Sequence, residues 1–288
     1  MAYSTGSFGQ RDTNDTSKGY GMTAADNSYK YYNNITWNMW VCLTPSTNKN
    51  LWGMWEETAT NNRCWLFSTQ TNGTFRVIYS WNGTNFSLHT TSGVPFNGSW
   101  VMITNTFASG TFNTYFNAGA AQTLNQVIAW GGGAVALHSA GQRLLVGSQN
   151  PASPVADKSV GGFLSNYSMW NKVLSAAERT ELYNNGVPTN LLNHSAAANL
   201  TNWWPMDQAD TAPTLRDAKN GSGSAMTITT SGTSGYFAAS GLYPTRSTDP
   251  GVANVRFGTT YVLDGENKTG TMIASGGSHL GPRQGVGA

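Results

Sequence analysis

Gly161–Gly186 reads GGFLSNYSMWNKVLSAAERTELYNNG. Its first half alternates. In an extended chain Phe163, Ser165, Tyr167 and Met169 face one way, and Leu164, Asn166, Ser168 and Trp170 the other. Its second half changes period. Ser175 has the character of an N-cap, and Glu178 three residues on completes a capping box. Ala176, Ala177, Glu178 and Arg179 carry a short helix, which Gly186 and Pro188 stop. The segment therefore predicts one strand followed by one small helix over about 175–185, set in an otherwise strand-rich chain.

Outward from this stretch the alternation repeats. Ile35, Trp37, Met39, Val41 and Leu43 alternate with Thr36, Asn38, Trp40, Cys42 and Thr44, which predicts a strong strand ending at Pro45. Trp40 and Cys42 make its second face apolar as well, so it belongs in the middle of a sandwich. Further strands are expected at Leu51–Trp55, Cys64–Ser68 and Phe75–Trp81, the last flanked by Asn72-Gly73 and Asn82-Gly83, the strongest short hairpin signal. Phe86–His89 returns across the second turn. Trp100–Phe107 and Thr111–Asn117 pair around Ala108-Ser109-Gly110, and Arg143–Val146, Asn202–Met206 and Ala225–Thr229 complete the set. Short strands with frequent turns argue for an all-β, antiparallel jelly-roll β-sandwich.

The sandwich is expected over 31–230. Residues 1–30 are Gly-, Ser-, Thr- and Asn-rich with little periodicity, and read as an N-terminal arm, mobile or pinned to a partner. Thr230–Ser240 reads as a small-residue linker. Beyond it, Thr259–Leu263, Asp264-Gly265 and Lys268–Met272 form one hairpin. That C-terminal portion, 231–288, has too little apolar surface for a core of its own, so it is expected to anchor on the sandwich or on another subunit. Val255, Tyr261 and Leu263 are its candidate assembly residues.

Composition narrows the function. The chain has 288 residues, a net charge of +2 and only 10% charged residues, against about a quarter in ordinary soluble domains. No run of Lys and Arg is present, which argues against nucleic acid as a partner. No apolar run approaches the roughly 20 residues that span a bilayer, so no membrane association is expected. The first fifteen residues lack a basic-then-apolar leader, which points to a chain made in, and kept in, a cytoplasm until lysis. Cys42 and Cys64 are too few for a disulfide framework. They read either as one bridge between neighbouring strands or, preferably, as two buried thiols. His89, His138, His194 and His279 lack ligand spacing, so no metal site is expected from them.

Several of these segments together resemble the concanavalin A-like, laminin-G-type jelly roll: Ile35-Thr-Trp-Asn-Met-Trp-Val41, Gly98-Ser-Trp-Val-Met-Ile103, Thr114-Tyr-Phe-Asn117, Arg143-Leu-Leu-Val-Gly147 and the Gly162–Gly186 segment. That family places a short helix after a late strand, where this chain has Ser175–Asn185. Met102 departs from the pattern, since many members carry histidine there. Leu200-Thr-Asn-Trp-Trp-Pro-Met-Asp207 and Asp217-Ala-Lys-Asn-Gly221 look like a closing strand and turn of jelly rolls in bacteriophage proteins. Asp249-Pro-Gly-Val-Ala-Asn-Val-Arg256, Gly258 and Thr269-Gly-Thr271 resemble segments of tailed-phage structural proteins. The resemblance implies a virion component assembled in the host cytoplasm. Capsid decoration is the first reading and a tail-fibre or receptor-binding component an alternative, with other virion proteins and sister subunits as partners. A non-viral carbohydrate-binding module is a further alternative.

The chemistry points away from catalysis. Glycosidases of this fold place paired carboxylates on one strand. Here the only close acidic pair on the strands is Glu56-Glu57, whose adjacent side chains oppose each other when extended. Glu178 and Glu181 fit capping and solvation, and no serine or cysteine sits in a nucleophile context. Sugar binding fits better. Eleven tryptophans and abundant Asn, Thr and Ser suit stacking with neutral hydrogen bonding. Trp37, Trp40, Trp65, Trp100, Trp170 and Trp203 sit in strand patterns and read as core. Trp52, Trp55 and Trp81 border loops and are the candidate exposed platforms, with Asn82 beside them. Laminin-G-type domains in some cases hold calcium, for which Asp157, Asp207 and Asp210 are isolated candidates that spacing does not support; no other cofactor is expected.

Overall fold

The computed structural model describes residues 7–10, 19–23, 33–43, 48–57, 62–93, 95–129, 136–138, 143–149, 162–206, 214–230, 235–238, 260–263 and 266–269. Two antiparallel sheets face each other. Sheet A has seven strands: β1 (Ser7–Gln10), β3 (Asn34–Leu43), β8 (Trp100–Ala108), β9 (Thr111–Phe116), β12 (Gly162–Trp170), β13 (Leu200–Trp204) and β16 (Gly235–Ala238). Their order is β16-β1-β12-β3-β8-β9, with β13 also paired to β12. Sheet B has nine: β2 (Gly19–Thr23), β4 (Asn50–Trp55), β5 (Arg63–Thr69), β6 (Phe75–Tyr79), β7 (Ser87–Thr91), β10 (Leu124–Ile128), β11 (Leu145–Val146), β14 (Thr214–Asp217) and β15 (Gly221–Thr230). They run β10-β7-β6-β5-β4-β11-β2-β15-β14. A hairpin of β17 (Thr260–Leu263) and β18 (Glu266–Thr269) forms a separate two-stranded sheet, close to the expected position. The fold is the expected jelly-roll-like β-sandwich with one short α-helix, α1 (Ala176–Tyr183).

Local chemistry explains the strand boundaries. β8 and β9 are joined by Ser109-Gly110, both at positive φ (47° and 86°), with Ala108 opposite Thr111. Positive φ at both central residues suits the right-handed twist of a two-residue hairpin. The strand expected at Ile35–Leu43 is β3, and it pairs with β8 from Asn34↔Ala108 to Cys42↔Trp100. Neither cysteine is in a disulfide; Cys64 is buried and Cys42 half-buried.

The inner faces are held together by aromatic side chains. Trp37 of sheet A lies 5.1 Å from Trp65 of sheet B, 5.4 Å from Phe67, and stacks on Phe112 at 5.6 Å. Trp52 meets Tyr167 across the sandwich at 4.8 Å. The indole N–H groups of Trp37, Trp52 and Trp65 have no protein hydrogen-bond partner. An orphaned donor costs about 1–3 kcal/mol, whereas burying a ring of about 200 Å² contributes about 5 kcal/mol, so burial wins. A second apolar cluster lies on the outer face of sheet A. Trp40, Met102, Trp170, Leu200 and Trp203 are covered there by Leu174, Leu182 and Leu191 of α1 and its flanks. This is the purpose of the second apolar face of β3.

Three expectations are corrected. First, strict alternation in β12 fails at Asn166. Ser165 stands opposite Trp40 and Ser168 opposite Asn38, so Asn166 and Tyr167 together oppose Met39, with Asn166 at φ 51°. This β-bulge flips the side-chain phase. Leu164 therefore joins Tyr167 and Met169 in the inter-sheet core, while Trp170 stays in the outer cluster. Second, the described parts of the 1–30 segment, 7–10 and 19–23, belong to the sheets. Its β1 pairs with β12 and β16, and β2 pairs with β11 and β15. Third, Gly235–Ala238, expected to be linker, pairs with β1. These strands are four or five residues long and rich in glycine, so they lack the periodicity that marks the others. β10 and β14 were likewise absent from the expected strands.

Among the described residues no helix is long and apolar enough to cross a membrane. Val255 lies outside the described residues. Tyr261 and Leu263 belong to β17, and only their backbone is described.

Candidate functional site

The helix expected from the capping box is present. Ser175 Oγ accepts the Glu178 N–H, and Glu178 Oε2 accepts the Ser175 N–H at 2.7 Å. Lys172 pairs with the other Glu178 oxygen. The Lys172 hydrogen bond first, then the Ser175 N–H, hold the Glu178 carboxyl down at about 2. The helix stops two residues before the expected glycine. Asn184 caps it in the left-handed region at φ 43°, Asn185 follows at φ 53° and Gly186 at φ 86°. Three successive left-handed residues turn the chain sharply back along the helix, and asparagine tolerates that conformation better than most side chains.

The returning chain makes two short 3₁₀ turns, Leu191–Asn193 and Ala197–Asn199. His194 pins it to α1. Its Nδ1 accepts the Ala196 N–H at 3.0 Å, and its Nε2 lies 3.0 Å from the Glu178 carbonyl. That pattern assigns the proton to Nε2. The ring packs 4.9 Å from Trp170. Ser195 holds Glu181: its N–H reaches Oε1 at 2.9 Å and its hydroxyl donates to Oε2. These bonds lower the Glu181 pKa, the Ser195 hydroxyl contributing most.

Between α1 and this return lies an open groove of about 550 Å³, lined from Thr180 to His194. Its wall is rich in side-chain amides: Asn184, Asn185, Asn190 and Asn193. Asn190 Oδ1 is used by the Leu192 N–H at 3.0 Å, and Asn184 Nδ2 by the Val187 carbonyl at 3.0 Å. This leaves a donor at Asn190 and an acceptor at Asn184. Val187 is 41% exposed on the rim. Glu181 is the groove's carboxylate among the described lining residues. Two-carboxylate hydrolysis of a glycosidic bond needs a second acid across the ligand, and the described lining residues include Glu181 alone.

The residues singled out from the sequence lie elsewhere. Trp52 is fully buried in the inter-sheet core. A bulge between Asn50 and Trp52 turns both Leu51 and Trp52 inward, so position near a loop did not mean exposure. Trp55 does face out from sheet B but is 2% exposed. Phe86 covers its edge at 5.5 Å, and the Arg63 guanidinium sits 5.7 Å from its ring. Neither is an exposed platform. Trp81 is half-buried and Asn82 exposed. Asn82 Oδ1 accepts the N–H groups of Thr84 at 3.0 Å and Asn85 at 2.8 Å, which fixes the turn. Trp37, Trp40, Trp65, Trp100, Trp170 and Trp203 are all buried, as their strand patterns required. Asp157, Asp207 and Asp210 lie outside the described residues. Among the described residues no group of three His, Cys, Asp or Glu is placed to hold a metal ion. The sequence reading missed the groove. Its sequence signal is the amide density of NNGVPTNLLNH after the helix, a pattern that by itself announces only a stop.

No protein-family model matches the chain, and no curated protein matches it. Solved structures do. A putative carbohydrate-binding protein from Bacteroides ovatus superposes with a TM-score of 0.54 at 13% identity, over 80% of this chain and 58% of that one. This chain thus spans little more than half the length of that protein. A heptameric pentraxin from Limulus polyphemus gives 0.47 at 12% identity, over 62% of this chain and 82% of that one. At 13% identity the likeness to the Bacteroides ovatus protein is one of fold.

Proposed function

We propose that this chain is a non-enzymatic glycan-binding sandwich whose ligand seats in the groove beside α1. The carrying observation is the groove itself. It is open, lined by asparagine amides in a backbone conformation fixed by the left-handed Asn184 and Asn185, and backed by one preoriented carboxylate. Sugars present vicinal hydroxyls that both donate and accept, and planar amides match them. The shared fold with a protein described as a putative carbohydrate-binding protein supports the same reading. A glycan array probed with the full-length chain tests it. Binding to at least one glycan class is expected, and a silent array overturns the reading.

The setting we propose is a virion, with the sandwich as a capsid decoration or accessory protein and a tail-fibre component as the alternative position. The resemblance of 200–207, 217–221, 249–256, Gly258 and 269–271 to segments of phage proteins supports this. So does the β17–β18 hairpin, which shares no strand ladder with either sheet among the described residues; an isolated hairpin is marginally stable and gains from a partner surface. Antibody labelling of purified particles tests the setting. Particles that carry no label overturn it. A non-viral carbohydrate-binding module is favoured by one observation: β1 and β2 are built into the sheets instead of extending as an arm.

A further inference from the structure

We infer that the groove beside α1 takes an uncharged sugar and rejects acidic ones, an inference that rests on the glycan-binding reading above. Charge decides this. Glu181 is the charged side chain on the groove wall, and no Lys or Arg lines it among the described residues. His194 offsets it only in part. Its Nε2 is 3.7 Å from Glu181 Oε2, but the Nε2 proton is directed at the Glu178 carbonyl. An acidic sugar entering the groove meets a like charge and finds no Lys or Arg among the described lining residues to answer its own.

The same carboxylate favours a neutral ligand. Ser195 occupies one acceptor direction on each Glu181 oxygen, and a carboxylate offers about four. Two outward directions remain, already oriented, so accepting a pair of vicinal hydroxyls costs little further side-chain entropy. Asn185 and Asn193 make no side-chain hydrogen bond to other described residues and line the same wall, which adds both donors and acceptors. Val187 on the rim suits the apolar C–H face of a pyranose. The ligand is thus held by neutral and hydroxyl-directed contacts, with the carboxylate as an acceptor and not as a counter-ion.

The test uses the full-length chain on an array of matched pairs: N-acetyllactosamine with its sialylated form, and lactose with its sulfated form. Wild type is expected to prefer each neutral member by on the order of tenfold at low salt. Glu181→Gln is expected to narrow that preference, and Asn193→Leu to abolish binding, each with a melting temperature close to wild type. Equal or stronger binding of the acidic members by wild type overturns the inference. So does wild-type-like binding and selectivity in both variants, which places the ligand elsewhere on the sandwich and leaves glycan binding standing without its seat in the groove. If wild type binds nothing on the array, that reading fails and the inference falls with it.

Discussion

The guanidinium of Arg179 lies 3.7 Å from the centroid of the Tyr115 ring, and its Nη1 donates to the Leu174 carbonyl at 2.7 Å. One buried side chain on α1 thereby grips β9, the edge strand of sheet A, and closes the turn before its own helix. Arg179→Leu keeps the apolar stem and removes the cation and the donor. The expected loss is about 2 kcal/mol, read as a lower urea midpoint with an unchanged slope. Arg179→Lys recovers little of it, because an ammonium lacks the planar face that stacks on the ring.

Asp217 is a buried carboxylate with five donors around it. Oδ1 accepts the N–H groups of Trp203 (3.0 Å), Lys219 (2.9 Å) and Asn220 (3.2 Å), and Oδ2 accepts the amides of Asn202 and Asn220, both at 2.8 Å. Asp217→Asn turns one acceptor into a donor that faces other donors. A loss of about 3 kcal/mol is expected, measured by chemical denaturation. A loss under about 1 kcal/mol, the worth of one ordinary hydrogen bond, contradicts the account.

Glu178 sets an acid limit. Its folded carboxyl is lowered from 4.5 to about 2, first by the hydrogen bond from Lys172 and then by the Ser175 N–H. A depressed carboxyl stabilises the fold above the unfolded value of 4.5, and that contribution drains away as pH falls through about 2. Glu178→Gln removes the charge but can keep the reach back to Ser175. The gap in melting temperature between wild type and Glu178→Gln is expected to be full at pH 6, to shrink below pH 4.5 and to vanish near pH 2. A gap that stays constant across that window rules out the linkage.

Trp52 and Trp81 separate packing from surface. Trp52→Ala is expected to cost about 4 kcal/mol, as for other fully buried large-to-small changes. Trp81→Ala, at a half-buried turn position, is expected to cost well under half of that. Thermal melts of the two variants decide it, and comparable losses contradict the burial assignments.

The sequence carried the fold where side chains repeat. β3 and β8 are long, strictly alternating and cleanly bounded, and the Ser175–Glu178 box located α1 to within two residues. Bulges broke the inference where phase matters. At Asn166 one extra residue moves Leu164 to the other face, and near Trp52 another brings Leu51 onto the inward face that Trp52 shares with Met54. Alternation alone has no marker for either event, because a bulge is fixed by the partner strand's register and not by the residues that form it. Glycine-rich β1, β2 and β16 were invisible for a related reason: their pairing comes from backbone groups, with few side chains to declare a face. The groove was hidden because it depends on a three-residue left-handed turn, and Asn-Asn-Gly announces a stop without saying which way the chain leaves.

Phe8 in β1 stands opposite Leu164 on one side and Phe237 on the other. A ribosome makes Phe8 long before it reaches Phe237. At roughly 5–20 residues per second, the opening strand waits on the order of ten seconds or more for its second neighbour. Closing loops that long precedes any reward from contact, which slows folding. Sheet A therefore gains its β16 edge only after residue 238 has been made, and a nascent chain stalled before residue 235 carries β1 without that neighbour.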